Sequence, residues 1–185
     1  MKYHIVIFGD PVLRVRATPV AAVNAGLKRL VDDMFETMHN HRGLGLAAQQ
    51  IGQTISVCVI DVPPHMDVAA PDGPRLNPEV PMPLVLFNPE IVERARTQEK
   101  REEGCLSFPG IAAPVSRAAA VTVTYLDLKG DRRSLRARGL LARALQHELD
   151  HLQGVLLVDR MPAVKRISLA GQLRRLQATS RARSG

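Results

Sequence analysis

The sequence predicts a single α+β domain, with mostly antiparallel strands around one central helix and a further helix at the C-terminal end. Three observations carry that expectation. Runs of strand character are interspersed with three helical patterns and no regular βαβ rhythm. The chain has 185 residues, which fits one domain large enough to bury a core without covalent staples. Hydrophobic content of 45% and charged content of 23% are those of an ordinary globular chain. With Trp absent and aromatics at 3%, the core must be built from Leu, Val, Ile, Ala and Met. No internal repeat is present.

The elements follow in order. Residues 9–20 read as an extended or looping lead-in. Over about 24–40, Leu27, Leu30, Val31, Met34 and Met38 recur at three- and four-residue spacing, the mark of an amphipathic helix. Residues 43–50 form a Gly-punctuated loop and residues 55–61 a strand. Residues 62–83 contain seven Pro and read as a surface loop insertion. Leu84 to Phe87 resumes strand character before Asn88-Pro89. Ala120 to Leu128 alternates as a strand, and a turn at Lys129-Gly130-Asp131 leads to a second strand near Arg133 to Arg138. Gly139 precedes a helix over about 140–152. A last helix, around 163–178, carries Ile167, Leu169, Leu173 and Leu176 among basic residues. The organisation expected is one unit over 1–161, containing the 62–83 insertion, and a basic helix and tail over 162–185.

The net charge of +7 is a property of that tail. Residues 160–185 hold seven Lys and Arg and no acid; removing them from the totals of 25 and 18 leaves 18 basic and 18 acidic residues over 1–159. The neutral body and scarce aromatics disfavour base stacking on nucleic acid, although a basic tail can hold RNA electrostatically. A run of tail charge is more simply a solvated face. No apolar run approaches the ~18 residues of a membrane span, and the first ten residues lack the pattern of a signal peptide, so the cytoplasm is the expected location. Cys58 lies in a strand-like run and reads as a small buried hydrophobe. Two cysteines do not make a disulfide framework.

The most informative stretch is Gln146-His147-Glu148-Leu149-Asp150-His151, a His-Glu-x-x-His pattern. On a helix, positions i and i+4 share a face, so His147 and His151 can offer imidazole nitrogens to one metal ion. Glu148, rotated by about 100°, lies close enough to move the proton of a water activated there. With six His and eight Glu in the chain, the pattern arises by chance about once in a hundred such sequences. A catalytic site of this kind needs a third ligand and one open position. Downstream of His151 there is no His or Glu, and Asp159 is the only acid. Upstream, Glu103-Gly104-Cys105-Leu106-Ser107 places a Gly-flanked Cys in a loop, whose thiolate would complete a Cys-His-His set. His4, His39, His41 and His65 fall outside ligand spacing and are expected on the surface.

With these residues in view, the chain resembles the peptide deformylase family. Three motifs carry the resemblance, in order: Gly43-Leu44-Gly45-Leu46-Ala47-Ala48-Gln49-Gln50, Glu103-Gly104-Cys105-Leu106-Ser107, and Gln146-His147-Glu148-Leu149-Asp150-His151. The resemblance covers about 11–161. It implies that Cys105, His147 and His151 bind one divalent ion, Fe(II) in the usual family case, with Zn(II) and Ni(II) as other occupants. A thiolate ligand suits Fe(II) or Zn, so the residues alone leave that choice open. The resemblance further implies Glu148 as general base and acid, and Gln50 with the backbone N–H of Leu106 as oxyanion hole. Leu44, Gly45 and Arg143 would contact substrate. The implied reaction removes the N-formyl group from the N-terminal methionine of a newly made polypeptide, giving formate and a free amine.

Neighbouring residues carry further expectations. Glu103 and Gln146 flank ligands and are expected to orient them, and Asp150 is expected to pair with Arg117. The chain departs from the commoner bacterial pattern at Ala112, where an Arg is frequent, and at Arg101 and Arg143, where apolar residues are usual. Arg143 resembles the organelle-type branch. The expected consequence is a first-residue pocket with a polar rim, less strict for methionine. The alternatives are a metalloprotease or other amidase, against which the Cys ligand and the two upstream motifs stand, and an RNA-binding protein acting through its tail. The deformylase reading and RNA binding combine if the basic tail docks the enzyme on the ribosome. A metal-free relative is disfavoured because every expected ligand and Glu148 are present.

Overall fold

The computed structural model describes residues 3–184. The side chain of Arg183, one of the tail charges, lies outside the described residues, as do Met1, Lys2 and Gly185. Strands β1 (Gly45–Ala47), β2 (Val57–Ile60), β3 (Leu84–Arg94), β6 (Ala120–Leu126) and β7 (Arg132–Arg138) form one sheet in the order β1-β2-β3-β6-β7. Strands β4 (Gln98–Gly104) and β5 (Ala112–Ala118) form a separate two-stranded ribbon. Every pairing between these strands is antiparallel. The helices are α1 (Ala25–Asn40), α2 (Gly139–Leu152), α3 (Leu157–Arg160), α4 (Ala163–Ser168) and α5 (Ala170–Ser184). The α+β expectation stands.

The continuous apolar runs at β2 and β3 have a simple cause, since successive side chains of a strand point to opposite faces. Cys58, Ile60, Leu84 and Leu86 face the core around α2, where Leu141, Leu145, Leu149 and Leu152 form the buried stripe. Val57, Val59, Val85 and Phe87 face α1 through Val31, Met34 and Met38. The sheet is therefore covered on both faces at these strands, which removes the usual apolar–polar alternation. Asn24 caps α1 by accepting from the Leu27 N–H at 3.0 Å, as an N-cap Asn commonly does.

Four details differ from expectation. β3 does not stop at Asn88-Pro89; it continues to Arg94 across register shifts, because a Pro is tolerated in a strand at a bulge. Asn88 takes φ +49°, and its side-chain amide exchanges two 2.7 Å hydrogen bonds with the backbone of Val20. Residues 45–47, expected in a loop, pair with β2 as an edge strand. The β4–β5 ribbon was not expected, because Gln98 to Glu102 are charged or polar and β4 turns only Glu103 inward. The C-terminal helix is broken at Leu169, which turns into the core, whereas Ile167 is exposed. Leu169 and Leu173 bury beside Phe8, Leu13 and Phe108.

The 62–83 segment lies at the surface but is pinned to the start of α2. Asn77 Oδ1 accepts from the Arg138 N–H at 2.9 Å, and its Nδ2 donates to the Arg138 carbonyl at 3.2 Å. Asp67, itself buried, accepts from the Asn77 N–H and from Arg75 Nε. Residue 138 immediately precedes α2, so this loop helps fix where the His-bearing helix begins. Among the described residues no helix is long and apolar enough to cross a membrane.

Candidate active site

Helix α2, the loop after β4 and the segment 43–50 converge on one cavity of about 720 Å³. Helical spacing places His147 and His151 on one face of α2, and Cys105 directly follows β4. The Cys105 sulfur and one donor nitrogen of each His lie within 4.8 Å of one another. His151 Nε2 is 3.2 Å from Cys105 Sγ. His147 turns Nδ1 to Glu103 Oε2 at 3.1 Å, which leaves Nε2 as the nitrogen free to ligate. A soft thiolate and two imidazoles are a donor set for a divalent transition ion, with one position open.

One buried polar atom supports that fit: Glu148 Oε2 has no hydrogen-bond partner among the described residues, and such atoms normally find one. Glu148 is 4% exposed, and burial pushes its carboxyl up to about 7. A Cβ at Gly45 would stand 2.8 Å from Glu148 Cδ; the absence of a side chain there is what gives the carboxylate room. Cys58 is fully buried beneath the site, and burial raises its thiol, as expected of a packing residue.

Gln50 has its amide direction set by the backbone. Its Oε1 accepts from the Ala47 N–H at 2.9 Å, so Nε2 faces Ser107 Oγ at 3.3 Å and Cys105 Sγ at 3.6 Å. Leu106 lines the same cavity, and its N–H donates to no acceptor among the described residues. Ser107 anchors the loop: its carbonyl accepts from the Phe8 N–H at 2.8 Å. That role carried no sequence signal, because it depends on a partner 99 residues away.

Behind the ligands runs a buried ion chain. Glu103 Oε1 and Oε2 each accept from Arg117 at 3.0 Å, and Arg117 NH1 reaches Asp150 Oδ2 at 2.5 Å. Arg160 then holds Asp150 through two further bonds at 2.6 and 2.9 Å. Burial alone would raise the Glu103 carboxyl, but hydrogen bonds from His147 and Arg117 bring it down to about 2. The expected Arg117–Asp150 pair is present, and Glu103 holds the His147 ring through Nδ1. Gln146 does not: its amide bonds both backbone groups of Ala118 and the Ala142 carbonyl, docking α2 on β5.

The three departures from the bacterial pattern sit differently. Ala112 opens β5 at the cavity wall and carries no polar side chain to offer there. Arg101 is exposed, pairs with Glu99 at 3.0 Å, and is not among the cavity-lining residues. Arg143 lines the cavity but is 6% exposed, its guanidinium engaged by Glu103 and two backbone carbonyls. Leu44 and Gly45 also line the cavity. The 62–83 loop does not line the cavity. His4, His39, His41 and His65 are exposed, and none belongs to the ligand cluster.

The family profile described as polypeptide deformylase matches residues 2–167. The chain is 50% identical over 163 residues to the peptide deformylase of Roseiflexus castenholzii, covering 85% of this chain and 88% of that one. The crystal structure of peptide deformylase from Thermotoga maritima superposes with a TM-score of 0.76 at 39% identity, covering 88% of this chain and 99% of that one. Peptide deformylase 1B from Arabidopsis thaliana, solved with an inhibitor, gives a TM-score of 0.85 at 36% identity, covering 100% and 94%. Motifs, fold and site geometry thus agree with these similarities: the chain belongs to the polypeptide deformylase family, metal-dependent hydrolases that remove the formyl group from the N-terminus of newly made polypeptides.

Proposed function

We propose that Cys105, His147 and His151 hold one divalent ion, and that Glu148, Gln50 and Leu106 act on an N-formyl-methionyl peptide laid across the cavity. The observation that carries this reading is the convergence of the three ligand atoms within 4.8 Å of one another, beside a buried carboxylate oxygen with no partner. When bound, a divalent ion supplies Lewis acidity and brings the pKa of water down to near ~7. Glu148 takes one proton from the attacking water and delivers it to the departing amine as the C–N bond breaks, giving the neutral amine and formic acid, whose remaining proton is released to solvent to leave formate. Negative charge gathers on the former formyl oxygen as water adds. The Gln50 Nε2, directed by the bond that its Oε1 accepts from the Ala47 N–H, and the unengaged Leu106 N–H are the donors available to meet it. Leu44, Gly45 and the stem of Arg143 form the walls against which the first residue of the substrate rests.

Fe(II) is the native ion in this reading, with Zn(II) and Ni(II) able to take its place, since thiolate and imidazole suit all three. Loading without oxygen tests the assignment. Fe(II) protein should turn over formyl-Met-Ala-Ser faster than Zn(II) protein, and lose activity in air as Cys105 oxidises. Equal turnover with Zn(II) and indifference to air would remove Fe(II) from the account.

In this reading the catalytic unit spans 1–161, and 162–185 carry the basic C-terminal helix and tail. Arg174, Arg175 and Arg181 are exposed, while Leu173 on the same helix is buried. The exposed charges suit ribosomal RNA near the emerging chain. Replacing all three Arg by Glu should abolish co-sedimentation with ribosomes and leave turnover of a tripeptide unchanged; intact co-sedimentation would refute the docking. The cytoplasm is the location that goes with this substrate.

A further inference from the structure

Arg143 stands one helical turn before His147 on α2, in a position where its side chain could reach into the substrate cavity. Its guanidinium is instead spent inward. NH1 donates to Glu103 Oε1 at 2.6 Å and to the Val115 carbonyl at 3.0 Å, and NH2 donates to the Glu99 carbonyl at 2.6 Å. Glu99 and Glu103 belong to β4 and Val115 to β5, so one side chain of α2 grips both strands of the ribbon. That ribbon carries Cys105 directly after its last β4 residue, and α2 carries His147 and His151. Arg143 is therefore, with Gln146 and Arg117, one of the side chains that hold the Cys105-bearing ribbon against the His-bearing helix.

A second consequence concerns Glu103. Its two oxygens receive Arg143, Arg117 twice, and His147 Nδ1. Arg117 comes from β5 and Arg143 from the helix, so the carboxylate is fixed from both sides before it meets the imidazole. Glu103 is 6% exposed, and a carboxylate this buried is held by its donors rather than by water. The hydrogen bond at Nδ1 decides the tautomer and the ring direction of His147, hence where Nε2 points.

We propose that Arg143 is a positioning residue for the metal ligands, acting through Glu103 and the β4–β5 backbone, rather than a charged contact for the substrate. The proposal rests on the reading of Cys105, His147 and His151 as the metal site. It accounts for an Arg at a cavity wall whose guanidinium is engaged by Glu103 and two backbone carbonyls. It also separates two effects a substitution here can have. A substrate contact changes KM and the order of preferred side chains. A positioning residue changes ion retention and ligand geometry.

The test uses Co(II) as the probe, loaded into the unaltered protein and into Arg143→Met, Arg143→Lys, Glu103→Gln and the Arg143→Met/Glu103→Gln double variant. Release to a chelator, the visible Co(II) spectrum, and kcat and KM for formyl-Met-Ala-Ser are measured on each. Arg143→Met should release Co(II) roughly 10–100-fold faster, the usual cost of losing an outer partner of a ligand, with a shifted spectrum, a lower kcat and an unchanged KM. In the Glu103→Gln background the same substitution should add little, because coupled residues are not additive. Arg143→Lys should recover part of the loss, since an ammonium can reach Glu103 but cannot replace the forked grip on both strands; it decides the matter if Arg143→Met does not fold. Unchanged release and spectrum in the variants, with altered KM or substrate order, would overturn the proposal and restore Arg143 as a substrate contact. Failure of the unaltered protein to bind Co(II) would instead overturn the metal-site reading beneath it.

Discussion

Glu148→Gln lowers kcat for formate release by roughly 10²–10⁴-fold, the range associated with a lost general acid–base, while metal content and fold are retained. The amide is nearly isosteric with the carboxylate, so packing beside Gly45 survives; a Cβ at Gly45 would already crowd Glu148. What is lost is a group that can accept a proton and return it. Glu148 is not one of the three clustered ligands, so the variant should bind its ion as the unaltered protein does. Deformylation at more than a tenth of the normal rate in metal-loaded Glu148→Gln would remove Glu148 from the proton path.

Cys105→Ala removes one of three ligands and should empty the site. Two imidazoles remain, and a catalytic ion of this class is normally held by three protein ligands. Affinity should fall by more than the 10–100-fold that an outer partner costs, and formate release should become undetectable at metal concentrations that saturate the unaltered protein. The fold should survive, because Cys105 is only half-buried and sits at the margin of the Phe8–Phe108 cluster. The pairing of Glu103 with Arg117 does not involve it. Retention of one ion per chain in Cys105→Ala, measured by elemental analysis after gel filtration, would show that the ligand set has been misassigned.

The parts of the fold legible in the sequence were those where burial imposes a period. α1 showed its apolar spacing, and β2 and the first half of β3 showed continuous apolar runs because helices cover both faces there. The β4–β5 ribbon was illegible for the opposite reason. Its strands bury Glu103 and Arg117, and a charged residue facing inward reads in a sequence as a charged residue facing out. The His147, Glu148 and His151 trio was readable from spacing alone. Cys105 needed the second motif, and its closeness to His151 depends on a separation of 46 residues. Arg143 lines the cavity, as its position on the helix suggested, but its hydrogen bonds to Glu103, Glu99 and Val115 could not be read from spacing. Gln146 likewise looked like a ligand orienter and proved to dock the helix on Ala118.

The most direct measurement is formate release from formyl-Met-Ala-Ser by protein purified without oxygen and carrying one Fe(II) per chain, beside acetyl-Met-Ala-Ser. The account predicts stoichiometric formate and free Met-Ala-Ser from the first peptide, with the second untouched. No formate from fully loaded protein, or equal cleavage of both peptides, would contradict it.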